Sequence, residues 1–201
     1  AVTKHYTQTA EKGTPCCSCK DTTVDLSKAI GYTDGDLSSF SNANLGLGCG
    51  TPTGLGKIQL GDTVLDLGSG GGIDCFLAAK KVGPTGRVIG VDMTPAMIEK
   101  ARRFAESSGQ RWVEFRLGRL EQLPVEDGSI DAVTSNCVIN LVPDKALVFR
   151  EIARVLKPGG RLVISDMILD GELPPAVARD VLAYVGCVAG AMRREPYFKL
   201  V

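Results

Sequence analysis

Thr63-Val64-Leu65-Asp66-Leu67-Gly68-Ser69-Gly70-Gly71-Gly72 decides the fold. A short apolar run ends in an acidic residue and a glycine cluster, and Ile73 to Lys81 continues with a helical pattern. At such a junction the backbone turns sharply and lets a ligand come close, and glycine serves both demands. A dinucleotide fingerprint G-x-G-x-x-G would need glycine where this chain has Ile73, and would set a pyrophosphate beside Asp66. A cofactor with an ammonium and a sulfonium but no phosphate suits the acidic loop better. S-adenosylmethionine is such a cofactor, with Asp66, Gly68, Ser69 and Gly70 as its expected contacts.

Outward from this loop, short apolar runs alternate with helical stripes, the pattern of βαβ units and a parallel sheet. Strands are predicted at Val64–Leu67, Arg87–Asp92, Trp112–Leu117, Ile130–Ser135 and Gly160–Ser165. Thr94 and Pro95 open one helix with Met97, Ala101, Phe104 and Ala105 on a face. Val148, Ile152, Val155 and Leu156 stripe another that stops at Pro158-Gly159-Gly160. The fold class is α/β, a Rossmann-like doubly wound, mostly parallel sheet of order 3-2-1-4-5. Asp92, closing the second strand, is placed to accept the ribose hydroxyls. Met93 and the backbone of Leu120 fall near the cofactor. Three regions are expected: a loop-rich cysteine-bearing cap over 1–60, the cofactor-binding domain over 61–170, and a substrate segment over 171–201 with a helix from Ala176 to Ala191.

The 23 basic and 23 acidic side chains among 201 residues cancel, so no polyanion-binding surface is implied. No apolar run is long enough for a membrane helix and no signal-like h-region opens the chain, so a soluble cytoplasmic protein without nucleic-acid or membrane partners is expected. The one histidine, His5, argues against a histidine base or a histidine-rich metal site. Seven cysteines cannot all pair internally. Cys16-Cys17-Ser18-Cys19 contains C-x-x-C, but no second such pair supplies the rest of a structural zinc site, and Cys75 reads as a core residue.

In a doubly wound sheet the ligand crevice lies at the reversal between strands one and four. The residues following strand four, Asn136-Cys137-Val138-Ile139-Asn140, should therefore face the transferred group, with Asn136 near the cofactor. Cys49, in a glycine-rich segment, and Cys187, after strand five, lie where they could reach the same crevice. Three thiols suit a soft, thiophilic centre such as trivalent arsenic. A trigonal pyramid of sulfurs would leave its lone pair free for in-line attack on a sulfonium methyl.

From Thr63 to Asp166, including Val155-Leu156-Lys157-Pro158-Gly159-Gly160, the chain resembles class I S-adenosylmethionine methyltransferases. Asn44-Leu45-Gly46-Leu47-Gly48-Cys49-Gly50, Gly90-Val91-Asp92-Met93, Ser135-Asn136-Cys137-Val138-Ile139-Asn140-Leu141 and Tyr184-Val185-Gly186-Cys187 make the resemblance specific to the arsenite methyltransferases. The resemblance implies arsenic(III) binding and catalysis by Cys49, Cys137 and Cys187, acting on arsenite or a methylated trivalent arsenical. It also implies a redox partner among Cys16, Cys17 and Cys19, able to form a disulfide with Cys49, and a thiol reductant as co-substrate, thioredoxin or glutathione. Such proteins complete a seven-stranded sheet, whereas only five strands are evident here. Two other readings remain open: a methyltransferase for another small molecule with packing cysteines, and a non-catalytic thiol-based metalloid-binding protein.

Overall fold

A computed structural model describes residues 2–12, 22–55 and 57–201. Its elements follow in chain order: α1 (Val2–Lys12), α2 (Thr23–Ala29), α3 (Asp34–Ser39), α4 (Pro52–Leu55), β1 (Thr63–Leu67), α5 (Ile73–Val82), β2 (Arg87–Asp92), α6 (Pro95–Ser107) and β3 (Val113–Leu117). After these come β4 (Ile130–Asn136), a 3-10 turn (Ile139–Leu141), α7 (Lys145–Val155), β5 (Leu156–Ser165), β6 (Ile168–Leu169), α8 (Pro175–Ala178), α9 (Val181–Val185), β7 (Met192–Arg193) and α10 (Arg194–Phe198). The sheet has the order β3-β2-β1-β4-β5 and every pair is parallel.

The period of two along β1 assigns its residues to opposite layers. Val64 packs with Phe76, Ala79 and Val82 of α5 and with Phe115, while Leu65 and Leu67 pack with Val148, Ile152 and Val155 of α7. Helices thus cover both faces, and the strands carry the near-continuous apolar runs of a doubly buried parallel sheet. In register, Leu67 lies opposite Ser135, and Asn136 opposite Ser165. The carboxyl ends of β1, β4 and β5 therefore stop at one level, beside the reversal of strand order.

In the region read as loop-rich, the described residues form the helices α1 to α4. Thr22 with Asp25 and Thr33 with Asp36 make reciprocal capping boxes that open α2 and α3. Helices of six or seven residues show too little periodicity for an apolar stripe, so the T-x-x-D spacing was their signal. Phe40, after α3, stacks on Phe76 at 5.5 Å and meets Phe104 edge-on, which joins this region to the α5–α6 layer.

The helix expected over 176–191 is broken in two. Asp180 accepts hydrogen bonds from the N–H groups of Leu182 and Ala183 and so starts a new helix after Arg179. That helix then ends in a Schellman turn, in which Val188 N donates to Ala183 O at 2.9 Å and Cys187 N to Tyr184 O at 3.0 Å. Cys187 thus lies in a turn beyond α9, not in a helix. β5 begins at Leu156 directly after α7, and its pairing with β4 shifts register between Ile130 and Ala132, opposite Pro158-Gly159. Proline lacks the ladder donor, and Gly159 has φ 78°.

Phe76 has no exposed surface and meets Phe40, Phe104 and Phe115. Phe76→Ala is expected to cost about 3–5 kcal/mol, measured as a lower urea midpoint. A midpoint unchanged from the parent would contradict the packing described.

Candidate functional site

A cleft of about 1130 Å³ opens at the carboxyl ends of the strands, slightly larger than the usual small-molecule site. Gly68, Ser69, Gly70, Asp92, Met93 and Leu120 contribute to its lining. Gly68 has φ 64°, and a Cβ there would lie 2.4 Å from Val138 Cγ2, so neither the conformation nor the space admits another residue. A Cβ at Gly70 would meet nothing within 4 Å, which leaves the loop open toward the cleft. Asp92 accepts from Gly70 N at 3.0 Å and Thr94 N at 2.8 Å, holding the loop against β2. Asp92 also lines the cleft, where a ligand's hydroxyls would meet its carboxylate. Ser69 Oγ is buried without a partner among the described residues. This open, orphan-bearing cradle fits the cofactor expected from the sequence.

Two carboxylates lie beneath the loop. Asp66 accepts from Thr134 Oγ1 at 2.7 Å and from the Cys75 thiol at 3.4 Å. Burial, and then the charge of Asp74, push its pKa up to about 8. Asp74 was not singled out from the sequence. It accepts from Tyr32 Oη at 2.9 Å and Asn136 Nδ2 at 3.0 Å, and burial raises its pKa too. Cys75 has no exposed surface, as expected of a core residue.

Asn136 ties the N-terminal region to the sheet. Its Oδ1 accepts from Cys49 N at 2.9 Å, and its Nδ2 lies within donor range of Gly50 O, at 2.7 Å, as well as of Asp74 and Tyr32. A Cβ at Gly48 would approach the Asn136 amide to 2.8 Å, so glycine allows the two segments to close. Asn136 lines the cleft, but its amide is engaged with protein groups.

The three thiols sit around the end of β4. Cys137 N donates to Ser165 O at 2.7 Å, and the Cys49 thiol donates to the same carbonyl at 3.2 Å. The Cys187 thiol donates to Cys137 O at 2.8 Å. The neighbouring Cys187 thiol and then the Cys49 thiol lower the Cys137 pKa, while their closeness to Cys137 and their burial raise their own. Cys137 is therefore the most acidic thiol of the three. Sγ of Cys49, Sγ of Cys137 and a carboxylate oxygen of Asp166 lie within 4.8 Å of one another. Cys187 flanks Cys137 from outside that trio.

Cys137 and Cys187 have φ 56° and 65°. Among the described residues only Lys57 joins them as a non-glycine with positive φ. The C′ position of a Schellman turn is normally glycine. Such conformations cost about 1–3 kcal/mol each and persist where the surroundings enforce them, typically at functional sites.

The structure thus brings together the three cysteines and the cofactor residues singled out from the sequence around one cleft. Cys16, Cys17 and Cys19 lie outside the described residues. Sequence reading missed Asp74, Tyr32, Asp166 and Lys145. Asp166 sits one residue beyond β5 and Lys145 opens α7, so no motif marked them; only the shared end of the sheet brings them near the thiols.

A family profile described as a methyltransferase domain matches residues 58–199. An arsenite methyltransferase of Halobacterium salinarum is 47% identical, the alignment covering 94% of this chain and 52% of that protein. One from Aquipseudomonas alcaligenes is 45% identical over 66% of this chain and 40% of its own length. The crystal structure of an arsenic(III) S-adenosylmethionine methyltransferase from Chlamydomonas reinhardtii superposes with a TM-score of 0.70 at 38% identity, covering 90% of this chain and 61% of that one. The chain spans about half or less of the length of these curated relatives.

Two outcomes test the site's geometry. Cys187→Gly, free of left-handed strain, should be more stable than Cys187→Ala by about 1 kcal/mol, read from thermal unfolding; equal stability would deny the strain. Iodoacetamide should modify Cys137 at a rate that changes less with pH between about 6 and 8 than that of a thiol with the ordinary pKa of about 8.5, which speeds up steeply over that interval.

Proposed function

The chain belongs to the methyltransferase-domain family, and on that premise we propose that it transfers a methyl group from S-adenosylmethionine to trivalent arsenic held by Cys49, Cys137 and Cys187. The convergence of thiols from three distant segments on the end of β4, two of them in enforced left-handed backbone, is the observation that carries this reading. The names of its relatives support it.

S-adenosylmethionine, when bound, supplies an electrophilic methyl on a sulfonium. The glycine loop with the acidic side chains of Asp66 and Asp92 lines its side of the cleft, offering oxygen acceptors to the ammonium and the ribose hydroxyls. Met93 and the backbone of Leu120 border the remainder.

Three sulfurs displace the three hydroxides of arsenous acid. Cys137, the most acidic of the three, bonds first as its thiolate, and the hydroxide it displaces takes a proton from solvent. Cys49 and Cys187 each give their proton to the hydroxide they replace, so water leaves and no histidine is needed. Arsenic in a three-sulfur pyramid keeps one lone pair, and soft thiolates suit it better than oxygen ligands. Forming the arsenic–carbon bond with that pair, as the sulfonium–methyl bond breaks and its electrons stay on the departing thioether sulfur, would raise arsenic formally from +3 to +5. Oxidation of two thiols to a disulfide returns two electrons, which assigns a thiol reductant of the thioredoxin or glutathione kind as co-substrate, with Cys16, Cys17 or Cys19 as relay to Cys49.

Arsenite should protect Cys49, Cys137 and Cys187 from alkylation, and labelled methyl should pass to arsenic. Cys137→Ser should abolish transfer and leave cofactor affinity unchanged. Protection without transfer would favour a metalloid-binding role, and no protection would make the cysteines packing residues.

A further inference from the structure

Asp166 has no part in the methyl transfer outlined above, yet it is built into the thiol cluster. One of its oxygens lies within 4.8 Å of the sulfurs of both Cys49 and Cys137. Oδ1 accepts from Asn140 Nδ2 at 2.8 Å and from Met167 N at 3.1 Å, and Oδ2 accepts from Tyr197 Oη at 3.1 Å. Asn140 is itself fully buried and fixed by a second bond to Met167 O at 2.7 Å. The carboxylate is thus oriented by three donors and retains a free lone pair on Oδ2. Outer-shell bonds of this kind hold the carboxylate ligands of metal sites in place.

Charge points the same way. Among the described residues, none of the ion pairs involves Asp166. Lys145 is the cation whose charge reaches it, and the Lys145 ammonium is bonded to Val142 O at 3.0 Å. A carboxyl group and a thiol side by side in a partly buried cluster are tolerated together as anions only where a cation joins them.

We propose that Cys49, Cys137 and Asp166 form a site for a borderline-soft divalent cation such as Zn²⁺, completed by the sulfur of Cys187. Zinc takes thiolate and carboxylate together in a tetrahedron, with Zn–S of about 2.3 Å and Zn–O of about 2.0–2.2 Å, so its donors stand roughly 3.5–3.8 Å apart. For Cys49, Cys137 and Asp166, a contraction of about 1 Å reaches that spacing, and the Cys187 side chain must swing inward from its bond to Cys137 O to complete the set. The Cys49 and Cys187 protons pass to solvent on binding. Trivalent arsenic and zinc differ at this site in one donor: arsenic is satisfied by three sulfurs, whereas zinc requires a fourth ligand and accepts oxygen. The cation therefore competes with arsenic for the same sulfurs. Only this competition rests on the arsenic reading.

The test uses Co²⁺ and Zn²⁺ alone, on protein carrying Cys16→Ser, Cys17→Ser and Cys19→Ser so that the N-terminal thiols cannot contribute. Co²⁺ should give thiolate-to-metal charge transfer and tetrahedral ligand-field bands at one equivalent, and Zn²⁺ should bleach them. Asp166→Asn should weaken Zn²⁺ binding at least about tenfold, the size of effect that losing even an outer-shell partner produces. Arsenite protection of the thiols should be unaltered in that variant, which also reports that the cluster is still assembled. Absence of the charge-transfer band, or equal Zn²⁺ affinity in Asp166→Asn, would overturn the site. Zn²⁺ binding unaffected by saturating arsenite would overturn the competition. Arsenite that protects no thiol while Co²⁺ still binds would remove the arsenic reading and leave the cation site standing.

Discussion

The carbonyl of Ser165, at the end of β5, receives both the backbone N–H of Cys137 and the thiol of Cys49. The site depends on this one acceptor. Parallel pairing of β4 with β5 sets Asn136 opposite Ser165, so the N–H of the next residue extends the ladder to that carbonyl before the chain turns away. Its turn takes Cys137 into the left-handed region. The same carbonyl holds the Cys49 thiol, and the neighbouring Asn136 amide holds its backbone. The sheet thereby fixes two sulfurs, and the Cys137 carbonyl fixes the third through Cys187.

That arrangement trades stability for placement. Two cysteines occupy backbone conformations that glycine would hold without strain, and two carboxylates are buried side by side under the glycine loop. Each is a cost that an inert core would avoid. The compensation lies in the layers on either side, where the aromatic cluster around Phe76 and the apolar stripe of α7 bury their side chains almost fully. The Tyr6 hydroxyl donates to Val185 O at 3.0 Å, so α1 braces the turn that carries Cys187.

The strand order, the glycine loop and the placement of Cys137 at the crevice were legible because each follows from local pattern plus one topological rule. Val64, Leu65 and Leu67 announce a doubly buried strand, and Asp66-Leu67-Gly68 announces the turn. The helix breaks were not legible. Asp180 reads equally well as an exposed helical residue, and Gly186 suggests a stop one residue before the left-handed position that Cys187 in fact holds. The short capped helices near the N-terminus escaped because two turns carry no readable stripe.

The sequence by itself determined the α/β class, the order of the sheet and the residue types available at its crevice, since periodicity and glycine placement act over a few neighbours. Only the tertiary structure decided that Cys49 meets Asn136, 87 positions away, and Ser165, 116 positions away. It alone set Asp74 against Tyr32 and Asp166 against two thiols. Those contacts are hydrogen bonds and charge proximities between segments joined by no common period. They exist because parallel strands ending at one level bring chemically distinct loops to the same place.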